Sequence, residues 1–220
     1  MKLTSMVKRG GSVRESFHKL PGSLQHAIRN AGYQVFTEES FQQASTNRIV
    51  SLAGISKGTL FYHFHSKKSF YYYLIDYALA FIEKNYIQRI RRLERSDFIT
   101  RYRDVAAIKQ EAMEKEPFVF TFLGTLHLKR PREIPSEQKK RMQKLMQESE
   151  DILTTDIDTS MLREDIDSGP LLRYMHYVME GYRNELVNRY RRHNLTKADF
   201  QKDFEDYERF LQHMKTLFYQ

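Results

Sequence analysis

One stretch near the N-terminus carries the residue types and spacing that could do specific chemistry. It runs Thr46-Asn47-Arg48-Ile49-Val50-Ser51-Leu52-Ala53-Gly54-Ile55-Ser56-Lys57-Gly58-Thr59-Leu60-Phe61-Tyr62-His63-Phe64. Ile49, Leu52, Ile55, Leu60 and Phe64 are expected to face inward and lock two short helices together, with Gly54 free to take a positive φ at the turn between them. Left outside on the second helix are Lys57, Gly58, Thr59, Tyr62 and His63. These are donors and small residues, suited to a major groove, where side chains meet phosphates and base edges. The competing reading of the aromatic cluster Phe61, Tyr62, Phe64 and Phe70-Tyr71-Tyr72-Tyr73 is plain core, and Phe64 and Phe70 fit it.

Other chemistries find little support. The chain has no cysteine, which excludes disulfides, zinc–thiolate sites and thiol nucleophiles. His63 and His65 flank the end of the second short helix without a third ligand nearby. The acidic run Asp156, Asp158, Glu164, Asp165 and Asp167 lacks the ordered spacing of a calcium loop and reads as solvated. No phosphate-binding glycine loop and no nucleophile motif is present. The expectation is no enzyme, no cofactor and no metal.

Charge adds a coarse signal. The net charge is +8 on 220 residues, and residues 1–68 hold ten Lys/Arg against three Asp/Glu. A basic N-terminal third on a near-neutral body is the electrostatic footprint of a nucleic-acid-binding domain, although a solvated basic surface would look the same. The longest apolar run, residues 118–128, is too short for a membrane span of ~20 residues. The first residues have a charge but no apolar segment behind it, unlike a secretory signal. A cytoplasmic protein without membrane contact is the reading.

The elements that must position the motif are helical. Apolar residues recur at three- and four-residue spacing over long segments, and no strand-like alternation occurs. Residues 1–20, basic and containing Gly and Ser, read as a mobile arm. Ser23 is expected to cap a first helix carrying Leu24, Ala27, Ile28, Ala31, Val35 and Phe36. Ser45 or Thr46 starts the second, Ser56 the third and Ser66 a long fourth over 67–95. Further helices are expected near 97–114, 116–128, 136–154, 170–192 and 197–218, with Thr196 and Asp199 as a capping box for the last. The fold class is all-α: a three-helix DNA-binding domain over 21–66, then a larger helical domain over 67–220.

The segment Ala53-Gly54-Ile55-Ser56-Lys57-Gly58-Thr59-Leu60-Phe61-Tyr62-His63-Phe64-His65-Ser66-Lys67 resembles the TetR family of bacterial transcriptional repressors. The family pattern reads roughly A-G-V-S-K-G-T-L-Y-x-[HY]-F-x-S-K. Ile28-Arg29-Asn30-Ala31-Gly32-Tyr33-Gln34-Val35-Phe36 is similar to the family's first helix, so the resemblance covers residues 24–75. It implies base-edge contacts from Lys57, Gly58 and Thr59, phosphate contacts from Tyr62, His63 and Lys67, and backbone contacts from Ser45 or Thr46. Phe61 stands where Tyr is frequent, and Ser40 where Gly is usual.

For the rest of the chain the resemblance implies a homodimer on a palindromic double-stranded DNA operator and a small-molecule pocket. Phe200, Phe204, Tyr207, Leu211, Met214 and Phe218 form one helical stripe, and Leu171, Met175, Val178, Tyr182 and Leu186 nearly another. Two such helices per subunit can pair as a four-helix bundle, or each stripe can serve an intramolecular core. Phe118, Phe122, Tyr174, Met175 and Tyr177 are the candidate lining for an apolar or aromatic effector, with plain core as the alternative. The expected function is a dimeric repressor released from its operator by such a ligand. The alternative is an architectural or cell-division DNA-binding protein controlled by a protein partner.

Overall fold

A computed structural model describes residues 13–192 and 197–220. These are helical except for loops and two isolated bridges, Asp97–Asp158 and Leu162–Tyr219. The order is α1 (Glu15–His18), α2 (Gly22–Glu38), α3 (Thr46–Ala53), α4 (Lys57–Phe64) and α5 (Lys67–Ile82), a π-helical turn (Glu83–Ile87), and α6 (Gln88–Ile90). It continues with α7 (Phe98–Lys115), α8 (Val119–Lys129), α9 (Ser136–Thr154), α10 (Ser168–Arg192) and α11 (Lys197–Phe218). No described helix is long and apolar enough to cross a membrane. The expected Thr196 cap and residues 1–12 of the expected arm lie outside the described residues.

Three serines start three helices as expected. The Oγ of Ser45 accepts from the Arg48 amide at 3.4 Å, that of Ser56 from Thr59 at 3.0 Å and that of Ser66 from Ser69 at 3.0 Å. Each such cap stabilises its helix by about 1 kcal/mol. Ser23 is not a cap. Pro21 precedes the helix instead, and its fixed φ starts α2 at Gly22. The segment placed in a mobile arm also departs from expectation. Residues Glu15–His18 form one helical turn, and Phe17 is fully buried.

Two compact units divide the chain. The first comprises Met1–Arg91 with Ile108–Ser149, the second Arg92–Ala107 with Glu150–Gln220. In the first, α5 is buried along most of its length. The Phe64 ring lies 4.8 Å from Phe17, 4.7 Å from Phe70 and 5.1 Å from Tyr73. At Gly32 the α2 backbone lies close against side chains of α5. A Cβ there would lie 2.6 Å from Leu74 Cδ1 and 2.7 Å from Phe70 Cζ. A polar contact pins α2 as well: Arg29 donates to Glu116 Oε1 at 2.7 Å, and the Tyr77 hydroxyl donates to the same oxygen at 2.9 Å. Both Arg29 and Glu116 are buried, and the guanidinium lies 4.1 Å from the centre of the Tyr77 ring.

The second unit has its own core, built from Phe98, Tyr102, Leu162, Leu171, Met175, Leu211, Met214 and neighbours. Asp97 starts α7, accepting from the amides of Ile99 at 3.0 Å and Thr100 at 3.2 Å. Buried Arg101 spends its donors on the carbonyls of Ile152 at 2.7 Å and Glu94 at 3.2 Å. The apolar stripe of α11 is turned into this core at Leu211 and Met214, so the intramolecular alternative holds for those two residues. On α10 the inward line is Leu171, Met175 and Met179, whereas Val178 is exposed.

The buried pair generates a stability prediction. Glu116→Ala would leave the Arg29 charge without its partner in a buried site, at a cost of about 3–5 kcal/mol. The double variant Arg29→Met with Glu116→Leu should regain most of that loss, because neither charge is then buried alone. Urea denaturation of the three proteins checks the order.

Candidate nucleic-acid interface

The exposed face of α4 is set by what holds its other side. Gly54 closes α3 with φ +65, and the Ile55 amide returns to the Val50 carbonyl at 3.0 Å. Leu60 and Phe64 are buried below, and Ile49 and Ala53 anchor α3 from above. Leu52, expected inside, is 48 % exposed, and Ala53 takes the inward position. A small side chain there lets α3 lie closer than a leucine would.

Lys57 and Gly58 are exposed, Thr59 is half-buried, and Tyr62 is 52 % exposed. Positions 58, 59 and 62 share one helical face, three and four residues apart. The Thr59 hydroxyl lies 2.9 Å from Ser56 Oγ, which fixes its rotamer at the entry of the helix. At Gly58 the surface is bare backbone, which lets another molecule approach the chain closely. Ser45 is exposed and Thr46 half-buried at the start of α3.

Two expected phosphate contacts are placed differently. His63 is 4 % exposed; its Nδ1 lies 3.2 Å from Ser16 Oγ, and its ring packs at 5.7 Å from Phe17. It points into the domain because the unforeseen α1 covers it. Burial, and then the nearby Arg14 charge, hold its pKa below the ordinary histidine value. Lys67 turns back on the loop between α2 and α3, donating to the carbonyls of Gln42 and Ala44, both at 3.1 Å. Those carbonyls, with the Phe41 ring 5.0 Å from Nζ, claim the charge assigned to a phosphate.

Residues that the sequence left unassigned support this face. Arg14 stacks its guanidinium 4.4 Å from the centre of the Tyr62 ring, and its amide donates to the His63 carbonyl at 3.1 Å. Glu39 accepts from the Ser45 amide at 3.2 Å and from Arg48 at 2.6 Å, and Glu38 takes the other side of the same guanidinium. Arg48 is thereby directed at α2 and orients α3. An aromatic residue inside a basic, glycine-containing segment was the available signal for α1.

The residues expected to line an effector site divide between the two units. In the first unit Phe122 is fully buried, 5.0 Å from the Tyr33 ring and 6.2 Å from Tyr71, and Phe118 is partly exposed. In the second, Met175 is core, whereas Tyr174 and Tyr177 are exposed.

Residues 28–73 match the family described as bacterial regulatory proteins, tetR family. That stretch spans most of α2, all of α3 and α4, and the start of α5. The whole chain shares the all-helical fold of TetR-family regulators. It is similar to a TetR family transcriptional regulator from Chloroflexus aurantiacus J-10-FL, with 18 % identity, 96 % of this chain and 100 % of that one covered, and a TM-score of 0.54. It is also similar to a putative fatty acid metabolism regulator from Clostridium perfringens, with 20 % identity, 86 % and 97 % coverage and a TM-score of 0.50. No curated protein matches the sequence. The match covers both short helices, with Lys57 and Tyr62 of α4 exposed and Leu60, His63 and Phe64 buried.

The placement of the two lysines predicts different phenotypes. Lys57→Ala should lower DNA affinity and reduce the slope of log affinity against log salt by about one per subunit. Lys67→Met should leave that slope unchanged and lower the unfolding midpoint instead; fluorescence anisotropy at several salt concentrations, with thermal melts, separates them. His63 makes a pH prediction. Its folded-state pKa is depressed, so stability is fully present above the ordinary histidine range and falls as pH drops through it. Melts across that range should show the fall, and His63→Gln should flatten it.

Proposed function

We propose that this chain is a dimeric, sequence-specific repressor that occludes a palindromic operator. The observation that carries the reading is the entry of α4. Lys57, Gly58 and Thr59 are presented to solvent with Tyr62 one turn on, while Leu60, His63 and Phe64 anchor the opposite side. A short helix with one face buried and a donor-rich face exposed can enter a major groove. The surplus of basic residues in 1–68 supplies the sequence-independent attraction to phosphates.

Dimerisation is assigned to a different face from the stripes expected at first. Tyr174, Tyr177 (61 % exposed) and Val178 stand outward on α10, and Gly181 follows on the same side. Their spacing of three, four and seven residues is one face of a helix. Nothing lies within 4 Å of a Cβ built on Gly181, so the helix surface is open there. Large apolar groups beside a small one suit close pairing with the same helix of a second copy, and twofold pairing uses one patch twice. Such a dimer would meet half-sites about one DNA turn apart, ~34–36 Å or a multiple. A protein seated across both excludes other proteins from that stretch and lowers transcription from it. Acting on DNA places it in the cytoplasm.

Selection of bound sequences from a random duplex library should return a palindrome. Tyr177→Glu with Val178→Glu places charge on an outward face and leaves the subunit core intact. It should sediment as a folded monomer and lose the palindrome by at least about tenfold, since each half-site then binds alone. A folded double variant that stays dimeric moves the interface elsewhere, and a selected site without twofold symmetry overturns the repressor dimer.

A further inference from the structure

Three metal-ligating side chains from two helices of the second unit converge on an open cleft. Glu150 near the end of α9 places Oε1 3.2 Å from Nε2 of His176 on α10. Glu180 follows His176 by one helical turn, so both project from the same side of α10. One ligand atom from each of the three residues lies within 4.8 Å of the others. The same three residues line the cleft together with Tyr177, Gly181, Arg183 and Asn184, so the cleft borders the face proposed for pairing.

The surroundings orient the imidazole. The hydroxyl of buried Tyr102 lies 3.1 Å from Nδ1 of His176. That hydroxyl can donate to Nδ1 while Nε2–H faces Glu150. It can equally accept from Nδ1–H while Nε2 offers its lone pair to the cleft. A partner of this kind on the far ring nitrogen is what fixes a ligating histidine. The two carboxylates already have a cation: Arg183 lies 2.5 Å from Glu180 Oε1 and 3.9 Å from Glu150 Oε2. Its side chain is mostly exposed, and it can swing into water without disturbing the core.

We propose that Glu150, His176 and Glu180 form a binding site for a divalent transition metal ion, with Arg183 as the displaceable cation that holds the site when the metal is absent. One imidazole and two carboxylates favour zinc, cobalt or nickel over magnesium and calcium, which take oxygen ligands. Bonds of about 2.0–2.2 Å in a tetrahedral site set ligand atoms about 3.4 Å apart. The Glu150–His176 edge is already near that length, and a glutamate rotamer change closes the third corner. Three protein ligands leave one position for water or a small anion. No short motif marks the site, because its ligands divide between α9 and α10. Use of the metal as a regulatory input rests on the repressor reading above, whereas metal binding does not, so the two fail separately.

The test is titration of full-length, tag-free, chelator-treated protein with Co2+, followed by visible absorption and reversed by Zn2+. Operator binding is measured in parallel with and without metal. Wild type should take up one Co2+ per chain with the intense bands of a low-coordinate site. His176→Gln should weaken binding at least about 10–100-fold. Arg183→Gln should tighten it several-fold by removing the competing cation. Circular dichroism confirms that both variants are folded; their side chains border the cleft rather than the core. Cobalt affinity unchanged by His176→Gln, or not improved by Arg183→Gln, reduces the cluster to an ion-pair network and overturns the site. Metal binding that leaves operator affinity unchanged retains the site and removes only its regulatory use.

Discussion

A guanidinium and a carboxylate 87 residues apart in sequence meet out of water at Arg29 and Glu116, and the arrangement of the first unit depends on that meeting. Each charge is tolerable in the interior only while the other is present. Arg29 lies in the middle of α2, the helix against which α3 and α5 pack, and Glu116 lies in the link between α7 and α8. Tyr77 of α5 completes the contact from a third direction, donating to the carboxylate and offering its ring to the cation. Three segments are thereby fixed at one point. A hydrophobic contact would tolerate sliding by a few ångströms; a shared carboxylate oxygen does not.

From that point the aromatic packing transmits position to α4. Phe70 and Tyr73 on α5 flank Phe64 at the end of α4, and Phe17 closes the cluster from the N-terminal side. Rings of this size fill the space between helices and leave little room for the angle of α4 to vary. Gly32 permits it: with α2 and α5 this close, the rings of Phe70 and Tyr71 reach across to Phe36. The exposed face of α4 is the part of the helix that this packing does not need.

The helix-turn-helix was legible because its signals are local. A serine before each of α3, α4 and α5, and one glycine between α3 and α4, act within four residues of themselves. The elements they start therefore fall where the sequence places them. What could not be read locally was the far partner of a side chain. Lys67 and His63 carry the chemistry of phosphate contacts, yet Gln42, Ala44 and Ser16 claim them first. Likewise the periodicity of α10 announces an amphipathic helix, but Met175 and Val178 are equally apolar neighbours of one stripe. Only the position of Leu211 and Met214 decides which of them is inside. Glu150 and His176 illustrate the same limit, since no spacing rule relates residues on different helices.

The π-helical turn at Glu83–Ile87 has a meaning for how this protein tolerates insertions and deletions. Such a turn holds one residue more than an α-helical turn, so each side chain after it is rotated by about 100° relative to a continuous helix. Ile87 and Ile90 are buried in that rotated frame. A one-residue deletion within the turn would restore regular α-helix while preserving the phase that these isoleucines need. The same deletion in α5 would turn Phe70 or Leu74 out of the core. Length polymorphism among descendants of this gene should therefore concentrate in the wide turn, where the helix carries a spare residue.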